Sequence, residues 1–189
     1  MFFVPFFQHL EELCLLIVLL IAAFSDLSEH RVSNRLLLAG FSILFLIKLA
    51  GGEEKLLRPL VTSLLFLFIL LPLHRFRMIG AADIKTAALI LFCRPDCLGA
   101  GSLMLSLLLG ALLSLYRMLK KGIYKERFQY LYFYLRACLI PGCPAGSEKI
   151  SPYYDSARDG YTMTIPLASC YFTGTVICFL LAAVHGRCG

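Results

Sequence analysis

No lysine or arginine precedes Arg31. A secretory signal peptide opens on a basic segment, so the first apolar run is expected to stay as a membrane span. No Cys-x-x-Cys pair occurs among the eight cysteines, which argues against a zinc site of paired-cysteine type. Most of the cysteines read as small apolar packing residues. Cys138 and Cys143, flanking a Pro-Gly turn, are the pair whose placement suggests chemistry. There is no glycine-rich phosphate loop, no metal-ligand spacing, no strand-like alternation and no internal repeat. No cofactor and no metal are expected.

Charge is also scarce. Charged residues make up 16% of the 189 positions, against 59% hydrophobic, and the mean hydropathy is +0.79. Soluble domains of this size do not carry so much apolar surface. The expected class is an all-α membrane protein, one domain over residues 1–189, built as a bundle of about six transmembrane helices. The net charge of +6 falls mainly in the connections between apolar runs. Nucleic acid is a poor explanation for it. The lipid bilayer, with its anionic headgroups and its effect on orientation, is a better one.

The apolar runs set the expected spans. The first is Leu13 to Phe24, extended outward by Phe2 to Phe7 and Leu10 and interrupted by Gln8, His9, Glu11 and Glu12. Asp26 closes it, and Ser25 to Arg35 reads as a polar loop. The others are Leu36 to Ala50, Leu56 to Leu73, Ala81 to Cys93, Leu98 to Leu119, and Ile165 to Val184. The fourth is short of the roughly twenty residues that cross a bilayer. It is expected to tilt, or to start below the surface in a wetted recess that holds Asp83. Lys120 to Thr164 is an extended loop before the last helix. Within it Phe128, Leu131, Tyr132, Leu135 and Leu139 recur at helical spacing among basic residues. That pattern suits a surface-lying amphipathic helix, and equally a plain connector.

Thirteen of the eighteen basic residues lie in or beside the loops after spans one, three and five. The positive-inside rule then places those loops in the cytoplasm and both termini outside. Asp26 and Asp83 fall at the same, cytoplasmic, depth on different helices, where they can converge. Two carboxylates close together do not readily ionise together; one keeps its proton and the other becomes a base. Such a pair can activate water and protonate an amide leaving group. Taken singly, Asp26 also reads as a cap of the loop, and Asp83 as a cap of the fourth helix, whose N-terminal dipole favours its charge. A proton-relay role in a transporter is a further reading of two acids in a membrane protein.

Three stretches carry a family resemblance. Asp26-Leu27-Ser28-Glu29-His30-Arg31-Val32-Ser33-Asn34 resembles the first aspartate motif of the type IV prepilin peptidases, where a basic loop ends in Ile/Val-Pro-Asn. Gly80-Ala81-Ala82-Asp83-Ile84-Lys85 is similar to their Gly-x-Gly-Asp-(Val/Ile)-Lys motif. Ile165-Pro166-Leu167-Ala168 through Gly174 resembles their last-helix Pro-x-Ala-Pro motif. The resemblance implies a six-helix membrane aspartic endopeptidase that cuts the leader from prepilins or pseudopilins at the cytoplasmic face. It implies Asp26 and Asp83 as the catalytic pair, with Asn34, Gly80, Ala82, Lys85 and Pro166 in supporting positions. Ala82 stands where the family has a second glycine, and Ser33 and Ser169 where it has prolines. The chain lacks the paired cysteines and the large first loop of the members that also N-methylate their product. It therefore resembles the short, peptidase-only form associated with Tad/Flp-type pili. An inactive pilus-assembly subunit is the alternative that Ala82 raises.

Overall fold

In the computed structural model the described residues are 3–29, 32–51, 56–75, 80–122 and 166–184, with the single positions 129 and 132. Among them the fold is all-helical, with six helices in chain order. These are α1 (Phe3–Glu29), α2 (Asn34–Ala50), α3 (Leu57–Arg75), α4 (Ala81–Cys93), α5 (Cys97–Lys121) and α6 (Leu167–Val184). The amphipathic segment expected around Tyr132, the Cys138/Cys143 pair and most of the Lys120 to Thr164 loop lie outside the described residues.

Local chemistry sets the helix ends. Ser33 caps α2, its hydroxyl accepting from the Arg35 amide at 3.3 Å, which satisfies one of the orphan donors of a helix start. Pro95 cannot continue α4. Asp96 then starts α5 by accepting from the Gly99 amide at 3.4 Å. Gly122 ends α5 in the left-handed region, φ 69°, where a side chain would be strained.

One boundary differs from the sequence expectation. The stretch expected as a loop from Ser25 is helical as far as Glu29. Within that helix the Ser28 hydroxyl donates to the Phe24 carbonyl at 2.9 Å. Asp26 consequently lies within the last turns of α1, on a rigid element.

Helix α4 is the centre of the bundle. From Thr86 to Cys93 every residue is buried, as expected of a helix that is apolar all round. α3 packs on α4, and α1 packs mainly on α6 and α2. The inner stripe of α1 is Leu15, Val18, Leu19 and Ala22, the i, i+3, i+4, i+7 spacing of one helical face. The outer faces remain apolar: Leu38 is 71% exposed, Phe68 75% and Met104 76%. Contiguous apolar surface of this extent marks an interface or a membrane. Cys97–Lys120 and Leu167–Val184 are each long and apolar enough to cross one.

Helices α5 and α6 meet through small residues. A Cβ placed on Gly174 would clash with the Ser106 hydroxyl and lie 2.8 Å from the Ser106 backbone nitrogen and Cα. Backbone cannot swing aside as a side chain can, so the helices must separate. Gly174→Ala is expected to lower stability by roughly 1–3 kcal/mol. Thermal unfolding in detergent measures this, and an unchanged midpoint would show that the interface yields.

Candidate active site

Asp26 sits at the C-terminal end of α1, where a negative charge opposes the helix dipole. A second helix offsets this. The Asp26 Oδ2 accepts from the Ala168 amide at 3.0 Å. Ala168 is in the first turn of α6, whose free N–H groups and positive dipole end favour an anion. The connection joins residues 142 positions apart, and the sequence reading did not include it.

Asp83 occupies the first turn of α4, three residues after the N-cap Gly80. Its carboxylate accepts a hydrogen bond from the Gly80 amide, the reciprocal half of a capping box. The capping role anticipated for Asp83 is therefore present, and it leaves the remaining carboxylate lone pairs free. Gly80 also has a steric role: a Cβ there would lie 2.8 Å from the Asp83 Oδ2. Any side chain at position 80 would crowd the carboxylate.

Asp26 and Asp83 are within electrostatic reach of each other, although α1 and α4 share only a modest contact. Both are half-buried. Each is held by a backbone N–H from the start of a helix, one from α6 and one from α4. A pair held in this way can share a single proton, and so present one acid and one base to the same bond.

The supporting residues divide into groups. Lys85 donates from Nζ to the Asn34 Oδ1 at 2.9 Å. Lys85 lies two residues beyond Asp83, about 200° round the helix, so this bond ties α4 to the start of α2 rather than reaching the carboxylates. Pro166 precedes α6, and its carbonyl accepts from the Cys170 amide at 3.4 Å and the Ser169 hydroxyl at 2.7 Å. Ser169 and Ser33 thus both bond to helix ends where the prepilin-peptidase pattern has proline. Ala82 is half-buried in the first turn of α4, and its carbonyl accepts from the Thr86 hydroxyl at 2.9 Å. Alanine there favours the helix more than glycine would.

A profile of the type IV leader peptidase family matches residues 13–145. The chain belongs to the type IV leader peptidase family. Both carboxylates and the Asn34–Lys85 pair fall inside the matched region; α6, which supplies Ala168, lies beyond it. No curated protein and no solved structure gave a match. Membership of a peptidase family makes peptide hydrolysis the chemistry to set against the geometry of this site.

The opposite end of the bundle is also polar. Lys48, on α2 and 8% exposed, donates to the Glu11 Oε2 at 2.6 Å and to the Cys93 carbonyl at 3.1 Å. Arg94 pairs with Glu12 and with Asp96. Glu11, Lys48, Cys93 and Arg94 border a cavity of about 390 Å³ that is also lined by Arg58 and Pro59. The sequence reads Glu11 and Glu12 as interruptions of the first span. The structure makes them, with Lys48 and Arg94, a clamp that joins α1, α2 and the α4–α5 turn.

Proposed function

We propose that this chain is a membrane aspartic endopeptidase that removes the N-terminal leader from prepilins or pseudopilins. Asp26 and Asp83 act as the catalytic pair. The observation that carries the reading is that these two carboxylates, on separate helices, lie within electrostatic reach of each other, each anchored by a helix-start N–H. In the reaction one carboxylate takes a proton from water, and the water oxygen attacks the scissile carbonyl. The partner, protonated, supports the carbonyl oxygen and then delivers a proton to the departing amide nitrogen. The C–N bond breaks to give a leader carboxylate and a new amino terminus. The proton count returns to its start, so the pair needs no further co-reactant.

Asn34 and Lys85 hold α2 against α4 beside the site. Gly80 keeps space for the Asp83 carboxylate, Ala82 shapes the first turn of α4, and Pro166 sets the start of α6 that receives Asp26. Only residues 30–33 separate α1 from α2, which leaves no room there for a methyltransferase domain. This supports a peptidase-only enzyme of the kind associated with Tad/Flp-type pili. The direct test is incubation of purified protein in detergent with a peptide bearing a basic leader, a glycine before the cut and an apolar segment after it. Release of the leader supports the reading, and an intact peptide counts against it.

The six helices are read as six spans, with the Asp26–Asp83 end in the cytoplasm of a prokaryotic cell and both termini outside. The asymmetry of basic residues supports this orientation. It predicts that Cys97, exposed at the start of α5, is labelled on intact cells by an impermeant thiol reagent. A cysteine placed at the exposed Ser28 is expected to react only after the membrane is opened. Mapping the labelled peptides distinguishes these sites from other cysteines. Labelling at position 28 from outside would reverse the orientation.

A further inference from the structure

Helix α6 turns a second group toward the carboxylates. Tyr171 lies three residues beyond Ala168, so the two share one helical face. That is the face that meets Asp26 through the Ala168 amide. The Tyr171 side chain is 4% exposed and packs in the central cluster with Leu15, Val18, Leu19 and Leu89. The phenol is within electrostatic reach of Asp83.

A buried phenol ordinarily finds a hydrogen-bond partner. Among the described residues no hydrogen bond holds the Tyr171 hydroxyl, and its oxygen is not one of the fully enclosed atoms left without a partner, so it is reachable from outside the core; the Tyr171 carbonyl is bonded by Thr175 and Ser106. The other donors nearby among the described residues are committed. The Ala168 amide is taken by Asp26, and the Gly80 amide by Asp83. The Thr86 hydroxyl donates to the Ala82 carbonyl, and the Lys85 ammonium to Asn34. Tyr171 is thus a neutral, rigidly held donor, uncommitted and beside the pair.

Hydrolysis at two carboxylates creates one need that the single protonated carboxyl meets only in part. Attack of water on the scissile carbonyl moves an electron pair onto its oxygen, in a site that already carries one negative charge. A preorganised donor aimed at that oxygen stabilises it more than it stabilises the planar carbonyl of the substrate. A phenol does so without adding a positive charge that would pair with, and quench, the base.

We propose that Tyr171 is a further catalytic residue, its O–H donating a hydrogen bond to the carbonyl oxygen of the scissile peptide as that oxygen gains charge. The phenol keeps its proton throughout, and all proton transfers remain with Asp26, Asp83 and the water. The proposal rests on the peptidase reading above.

The test is Tyr171→Phe, which keeps the ring and its packing and removes the donor. The leader-cleavage kcat is expected to fall about a hundredfold, the order seen when one oxyanion donor is lost, with KM changed less than threefold. A leader peptide with a hydroxyl-bearing tetrahedral centre at the cut is expected to lose affinity for the variant, while the uncut substrate keeps its own. A purely packing role would leave kcat and the preference for the analogue at wild-type values, and either result overturns the proposal. Should the variant insert poorly, 3-fluorotyrosine at position 171 retains shape and strengthens the donor; an unchanged kcat there also overturns it. Failure of this inference is distinct from failure of the peptidase reading. If Asp26→Asn and Asp83→Asn abolish cleavage and Tyr171→Phe does not slow it, only the role of Tyr171 is lost.

Discussion

Asp26→Asn and Asp83→Asn are each expected to lower leader cleavage by about 10²- to 10⁴-fold, the range that acid–base groups contribute. Asparagine keeps the size of the side chain and an acceptor oxygen, so the Ala168 and Gly80 amides retain their partners. The loss should appear in kcat with substrate binding preserved. The double variant should be little worse than either single one, because a pair that shares one proton acts as a unit and its deletions do not add. The wild-type pH profile should be bell-shaped. At low pH both carboxylates are protonated and no base remains; at high pH both are ionised and no acid remains. The two apparent pKa values belong to the pair and to neither residue alone. Cleavage is measured on purified protein, with insertion and yield checked for each variant. Near-normal kcat in a well-inserted Asp83→Asn protein would end the aspartic assignment. In a proton-coupled transporter the same substitutions would stop a flux and leave leader processing untouched.

Lys48→Met is expected to be the most destabilising single change at the far end of the bundle. The Lys48 ammonium is the ion-pair partner of Glu11, whose side chain is 12% exposed. It also satisfies the Cys93 carbonyl at the end of α4 and lies 5.9 Å from the Phe92 ring centroid. Removing it strands a buried carboxylate, which costs about 3–5 kcal/mol. For a chain of this length that corresponds to a fall of roughly 10 °C in Tm. Replacing both partners, Lys48→Met with Glu11→Leu, should recover most of the loss, since an apolar pair of similar volume is often neutral or stabilising. Thermal unfolding in detergent of both singles and the double closes the cycle. A Lys48→Met single as stable as wild type would show that the pair makes no net contribution.

The existence and order of the six helices were set by the amino-acid sequence, because runs of apolar side chains interrupted by Gly, Pro and charge leave a chain few other options. Asp26, expected at the edge of a loop, instead continues the inner stripe Leu15, Val18, Ala22 by one further turn of α1, and a helix that buries that stripe carries the carboxylate inward. Glu11 extends the stripe at its other end by the same rule. Asp83 was legible as a charge at the start of an apolar helix, and Gly80 as its neighbour.

What no local pattern contains is the partner across the bundle. The Ala168 amide on Asp26, Lys48 on Glu11 and Arg94 on Glu12 join positions 142, 37 and 82 residues apart. Tyr171 reads from sequence as one more aromatic in an apolar helix. Only packing decides whether its hydroxyl meets a carbonyl, lipid or a carboxylate. Secondary structure follows from the backbone and its nearest side chains, which the sequence lists in order. The site follows from how helix faces meet in three dimensions, and that depends on the shapes of many residues at once: the close α5–α6 contact at Gly174, the buried length of α4, and the dipole of α6 directed at the end of α1.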